Sequence, residues 1–236
     1  MTRHIMTKKH KLKYFISILF CFISATLYAE ETVEIDSTAI NNRRNEVYQG
    51  TFMSLDLFNP VATTWRDGRF EGSLTFDVDL WHRLFPTAEF GFMIADIKKD
   101  EYKYETLGGF AKLGADYNFI NYKPDRKYDH SFYAGCRYGY SYTQYSLTDA
   151  LIENKYWNES NKYENINKSA HFGWFEVVLG VRVQVYKNFF MSVAMQVKTF
   201  GHFYEDSVSY PTYISGYGKY GDDVNFGLNY SLSYRF

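Results

Sequence analysis

Cysteine is nearly absent: the 236 residues hold two, Cys21 and Cys136. Cys21 falls in an apolar leader, so the exported chain keeps only Cys136 and has no internal disulfide. Long hydrophobic runs are also missing. The one apolar stretch, from Tyr14 to about Leu27, is shorter than a comfortable membrane span. It follows Lys8, Lys9, Lys11 and Lys13 and ends at Tyr28-Ala29-Glu30. That order describes a secretory signal peptide over residues 1–29, cleaved after Ala29. Phe20 stands before Cys21 where a lipidation site needs a small residue. An excess of basic charge is lacking as well. Residues 1–29 hold five of the 26 basic residues and no acidic one, which leaves 21 basic against 27 acidic and a net charge of −6. That excludes a nucleic-acid partner, which needs a basic footprint. No His/Cys/Asp group has metal-ligand spacing. Gly216-x-Gly218-Lys219 lacks the full spacing and the following Ser or Thr of a phosphate loop, so it reads as a turn. No cofactor is expected.

Aromatic residues are abundant: 20% of the chain, with 23 Tyr and 21 Phe. Mean hydropathy is only −0.39. A β-barrel reconciles these values, because half of each strand is polar. The end of the chain shows the pattern best. Val224, Phe226, Leu228, Tyr230, Leu232, Tyr234 and Phe236 alternate with Asn225, Gly227, Asn229, Ser231, Ser233 and Arg235. A period of two puts these sets on opposite faces of a strand. Tyr230, Leu232, Tyr234 and Phe236 match the C-terminal assembly signal of outer-membrane barrels.

The same period returns at about 51–58, 70–81, 87–95, 109–119, 130–142, 172–185 and 189–199. With the last segment this makes eight strands. Residues 30–47 are polar and without period, a flexible periplasmic tail; the barrel occupies 48–236. Loops are expected at 59–69, 96–107, 143–171 and 200–222, with shorter or polar connections between. Long outer loops alternating with short periplasmic turns describe an up-and-down transmembrane β-barrel. The tail and the C-terminus are then periplasmic, and the long loops extracellular.

A lipocalin-like barrel would turn the apolar face inward. The glycines Gly91, Gly114, Gly135, Gly139, Gly180 and Gly227 instead share the polar face, where small residues suit a crowded lumen. That face also carries both charges: Asp56, Glu71, Asp77, Asp79, Glu89, Asp116 and Glu176 with Lys112, Arg137, Arg182, Lys198 and Arg235. Packed inside, these form a lumen charge network; Asp77 and Asp79 are expected to pair with Arg137, Arg182 or Lys198. Tyr117, Tyr140, Tyr142, Trp174, Tyr186 and Tyr234 lie near strand ends, as interfacial girdles do.

Leu113-Gly114-Ala115-Asp116-Tyr117-Asn118, Gly135-Cys136-Arg137-Tyr138-Gly139, Phe175–Val183, and Gly216-Tyr217-Gly218-Lys219 followed by Asn225-Phe226-Gly227 carry a resemblance. Over about 48–236 the chain resembles an outer-membrane β-barrel family of Gram-negative, Bacteroides-type bacteria, catalogued as a domain of unknown function. The resemblance implies fold and location and no activity.

The expected role is non-enzymatic: a structural or surface-binding barrel acting through its outer loops. Its partners are outer-membrane lipid and lipopolysaccharide, the barrel-assembly machinery, and a surface glycan or protein ligand. A narrow pore is one alternative, although eight strands leave room only for side chains. A lipid A-modifying enzyme is the other. It would draw on His171 and His202 with Ser169, Ser207 or Ser209, yet no strand pattern joins a nucleophile to a base. The membrane-fraction protein is expected to run faster unheated than boiled on a denaturing gel; a soluble protein with no such shift would contradict the barrel.

Overall fold

Alternation of apolar and polar residues lets each strand present one face outward and one inward, and closure lets every backbone group find a partner. The computed structural model describes residues 47–67, 69–99, 102–121, 128–148, 150–154, 159–163, 166–204, 211–221 and 224–236. The leader 1–29 and residues 30–46 of the tail lie outside these.

The barrel strands are β1 (Tyr48–Asp56), β2 (Arg69–Leu80), β3 (Leu84–Lys99), β4 (Tyr102–Asn118), β5 (His130–Thr148), β8 (Ile166–Tyr186), β9 (Phe189–Tyr204) and β12 (Val224–Arg235). Between them come α1 (Phe58–Asp67), a hairpin of β6 (Ala150–Asn154) and β7 (Glu159–Tyr163), and a two-residue pair of β10 (Tyr213–Ile214) and β11 (Gly218–Lys219). Each barrel strand pairs antiparallel with its neighbours, and β12 pairs with β1 to close the ring of eight.

The interior is polar and the exterior greasy. Glu71, Ser73, Asp77 and Asp79 of β2 are buried, whereas Phe70 and Phe76 are exposed. Outside the ring, Phe90, Phe92, Leu113, Phe132, Phe175, Val177, Leu179, Met195 and Phe226 are exposed and make an apolar belt. A soluble monomer rarely exposes such a surface, and lipid is the solvent that suits it.

Several expectations change. Residues 59–69 are not a loop; α1 occupies most of them. β1 stops at Asp56, one residue past the Leu55↔Leu74 pair with β2, and α1 then packs against the remaining outer part of β2 and against β12. Asp56 helps to start the helix: its Oδ1 accepts from the Phe58 amide at 2.9 Å, and its Oδ2 accepts from Asn59 Nδ2 at 2.6 Å. Residues 96–107 are not a loop either. β3 and β4 stay paired to Lys99↔Tyr102. Likewise β5 and β8 pair as far as Leu147↔Ile166, and β9 runs to Tyr204. Backbone pairing continues where the apolar alternation has faded, because a hairpin ladder does not require lipid on one side.

Close packing inside the ring depends on glycine. A Cβ at Gly139 would come within 2.3 Å of Trp174 Cε2, and one at Gly91 within 2.3 Å of Phe110 Cζ. Each aromatic ring lies across a neighbouring strand's glycine. Gly139→Val is expected to destabilise the folded barrel by about 1–3 kcal/mol or more. Urea unfolding followed by loss of the heat-dependent gel shift measures this.

Candidate functional site

The lumen is the densest collection of chemistry in the chain. Lys112 Nζ lies 3.2 Å from Glu89 Oε1 and 3.0 Å from Glu176 Oε2. Arg137 reaches Glu89 Oε2 at 3.1 Å and Asp116 Oδ2 at 2.8 Å. These five side chains, from β3, β4, β5 and β8, form one chain of charges across the ring. Nearer the end with Trp81–Arg83, Arg182 pairs with Asp77 and lies over the Phe52 ring at 4.5 Å. Arg235 is only half-buried; it bonds Asp129 Oδ2 at 3.0 Å and donates to the Gln49 carbonyl at 2.8 Å. The protein around Asp129 pushes its carboxyl above the usual range, with Arg235 pulling the other way.

Of the sequence candidates, Asp56, Glu71, Asp77, Asp79, Glu89, Lys112, Asp116, Arg137, Glu176, Arg182 and Lys198 are buried in the lumen. Their partners differ in part from those expected. Asp79 meets His82 Nδ1 at 3.0 Å rather than an arginine or lysine of the ring. Lys198 Nζ donates to the Gly216 carbonyl at 2.8 Å. Asp56 serves the start of α1. The reason is height: residues on one face of one strand sit at different levels, and each meets only what shares its level.

The end with the long connections is closed from within. Residues 211–221 fold back into the ring, and Ile214, Ser215 and Tyr217 are buried there. Ile214 and Tyr217 join a cluster of Tyr104, Phe110, Tyr145, Ala170, Phe172 and Trp174. Arg69 lies over the Tyr213 ring at 4.4 Å, and the Thr212 amide donates to the Tyr104 hydroxyl at 3.1 Å. The turn between β10 and β11 uses Gly216 at φ +78°. Thus much of 200–222 is a stopper rather than an outer loop. Trp174, expected in a girdle, is 1% exposed inside the lumen. Its parity with Glu176 was the available signal; its nearness to a strand end misled. Arg69 shares parity with Glu71 in the same way. Tyr117, Tyr140, Tyr142, Tyr186 and Tyr234 do face outward.

On the outer flank above the belt, a groove of about 720 Å³ runs along β3, β4, β5 and β8, with Leu107, Tyr142, Gln144, Asn167, Lys168 and Ser169 among its lining residues. Gln144 Nε2 donates to the Tyr142 hydroxyl at 3.0 Å. His171 stands beside it: the Tyr140 hydroxyl bonds its Nδ1 at 2.7 Å, and its ring packs on Tyr142 with centroids 4.8 Å apart. The arrangement is a Tyr–His–Tyr cluster rather than a nucleophile with its base. The side chain of His202, and Ser207 and Ser209 entirely, lie outside the described residues. Among the described residues no group of three His, Cys, Asp or Glu could hold a metal.

A family model covers residues 11–236. The chain belongs to the family described as Domain of unknown function (DUF6048). No curated protein matches this DUF6048 chain. Among solved structures, it is similar to Neisserial surface protein A (12% identity, TM-score 0.44), covering 81% of this chain and 100% of that one. It is also similar to Ail, the attachment invasion locus protein of Yersinia pestis (11% identity, TM-score 0.40, covering 79% and 94%). A major outer membrane protein from Thermus thermophilus matches at 15% identity and TM-score 0.46, covering 81% and 100%. The barrel itself rests on this chain's own strand pairing.

Removing the central cation leaves Glu89 and Glu176 buried with less compensation. Lys112→Met is expected to destabilise the barrel by roughly 3–5 kcal/mol, and Lys112→Arg by much less. Urea midpoints of the two variants check this.

Proposed function

We propose that this DUF6048 chain is a non-enzymatic outer-membrane β-barrel that binds surface saccharide on its outer flank. The apolar belt around a charged, filled interior supports insertion in a bilayer, since lipid requires closed backbone pairing and an apolar exterior. The end of β12 and the start of β1 then face the periplasm, and α1, the β6–β7 hairpin and the 211–221 stopper face outward. Tyr230, Leu232, Tyr234 and Phe236 serve as the signal for the assembly machinery.

The observation that carries the reading is the outer-flank groove beside Tyr142. A tyrosine ring offers a face for a sugar ring, while Gln144, Asn167 and Ser169, with the charged groups of Asp96, Glu105 and Lys168, offer hydrogen bonds to its hydroxyls. A lipopolysaccharide headgroup and a free surface glycan share that chemistry. The filled lumen weighs against the pore, and the tyrosine partners of His171 weigh against the lipid-modifying enzyme.

The combined variant Tyr142→Ala, Gln144→Ala and Lys168→Ala is expected to lose at least about tenfold in binding while keeping its heat-dependent gel shift. Titration with purified lipopolysaccharide and, separately, with its lipid-free oligosaccharide distinguishes the two sources. Equal binding by wild type and variant would refute the site. Conductance steps in a planar bilayer would favour the pore, and altered lipid A on overexpression the enzyme.

A further inference from the structure

The opposite end of the barrel holds a second site. A cavity of about 310 Å³ opens at the mouth formed by the β2–β3 turn, the β8–β9 turn and the end of β12. Asp79, His82 and Arg182 line it together with Phe52, Phe85 and Phe190. Its volume is at the lower end of small-molecule sites.

Two polar atoms there lack partners among the described residues. Asp79 is 1% exposed; its Oδ2 meets His82 Nδ1, while its Oδ1 meets no donor. Arg182 is 6% exposed; its guanidinium pairs with Asp77, while its Nε–H meets no acceptor. A buried carboxylate oxygen and a buried guanidinium N–H are each costly without a partner. The pair therefore calls for a ligand bearing both a donor and an acceptor.

The spacing of the two carboxylates on β2 sets the scale of the ligand. Asp77, which holds Arg182, and Asp79 lie two residues apart on the same face of β2, roughly 7 Å along the strand. A single amino acid is too short to bridge charges so placed, whereas two extended residues span about 7 Å. The Phe52 and Phe190 rings meet edge to face at 5.0 Å, and Phe52 and Phe85 at 6.2 Å, giving an apolar wall for a side chain.

The turn beside the cavity supplies an independent sign. Trp81 and His82 have φ of 54° and 55°, and the Arg83 amide bonds the Leu80 carbonyl at 3.0 Å. A tight turn with positive φ at two successive positions favours residues such as Asn and Gly, and large side chains there are strained. The strain is held by surrounding bonds: Asn118 Nδ2 donates to the His82 carbonyl at 3.0 Å, and His82 meets Asp79. Strain of this kind gathers where a side chain must be aimed.

We propose that this mouth binds a dipeptide-sized zwitterion, its ammonium at Asp79, its carboxylate at Arg182 and its side chain against the phenylalanine wall. With the turn end in the periplasm, the natural ligands are the free ends of short envelope peptides.

The test uses the full exported chain folded in detergent. Alanyl-alanine is titrated by calorimetry and by NMR of the His82 imidazole. Saturable binding with Kd below about 1 mM is expected. N-acetylation of the dipeptide, amidation of its carboxylate, and Asp79→Asn should each weaken binding at least about tenfold. The capped dipeptides need only wild-type protein, so a poorly folding variant does not block the result. Absence of saturation to about 10 mM, equal affinity for capped and free dipeptides, or equally tight binding of inorganic phosphate would each overturn the site.

Discussion

Everything in this molecule depends on the seam between β1 and β12. A sheet in lipid cannot leave an edge, since each unpaired amide or carbonyl there costs several kcal/mol. The seam is short, running from Phe52↔Arg235 to Asp56↔Ser231. It is reinforced on the inside by a hydroxyl pair, Ser54 Oγ donating to Ser233 Oγ at 2.7 Å, and the next junction round, between β12 and β9, carries another, Ser231 with Ser192 at 2.6 Å. Backbone bonds extend it at both ends, from the Phe236 amide to the Thr51 carbonyl at 2.9 Å and from the Leu57 amide to the Tyr230 carbonyl at 2.8 Å. Beyond the second of these, α1 takes over from β1.

Closing eight strands makes a lumen only wide enough for side chains, and this chain fills it in three ways. Charges of opposite sign pair across the middle, where an isolated one would be untenable. Aromatic rings lie over glycines of the next strand, as Trp174 does over Gly139. At the loop end the chain uses its own residues 211–221 as packing. A barrel sealed in the middle and at one end leaves its outer flank and its opposite mouth as the surfaces that can meet ligands.

The apolar–polar alternation made much of this legible. In β2 it set Glu71, Asp77 and Asp79 against Phe70 and Phe76, and in β12 it separated Tyr234 from Ser233. Its failures had physical causes. Residues 59–69 carry turn signals at Asn59-Pro60 and Asp67-Gly68, yet Asn59-Pro60 lies in the first turn, and Asp67 at the end, of a helix that packs on β2 and β12. The charged residues at 96–107 suggested a loop because strand extensions above a membrane need no greasy face. Trp174 suggested a girdle by composition, although its parity placed it with Glu176.

The sequence by itself determined which faces could meet lipid, because a period of two is local and one greasy face admits few environments. It also determined the number of barrel strands, since each alternating stretch had to become one, although not the small β6–β7 and β10–β11 pairs. Only the tertiary structure decided which carboxylate meets which cation. Levels in a barrel depend on strand tilt and register between segments far apart in the chain, as for Asp77 with Arg182, 105 residues away. The stopper was decided the same way: nothing local in Ile214-Ser215-Gly216-Tyr217 says that a ring of eight strands will form around it and leave it the driest place available.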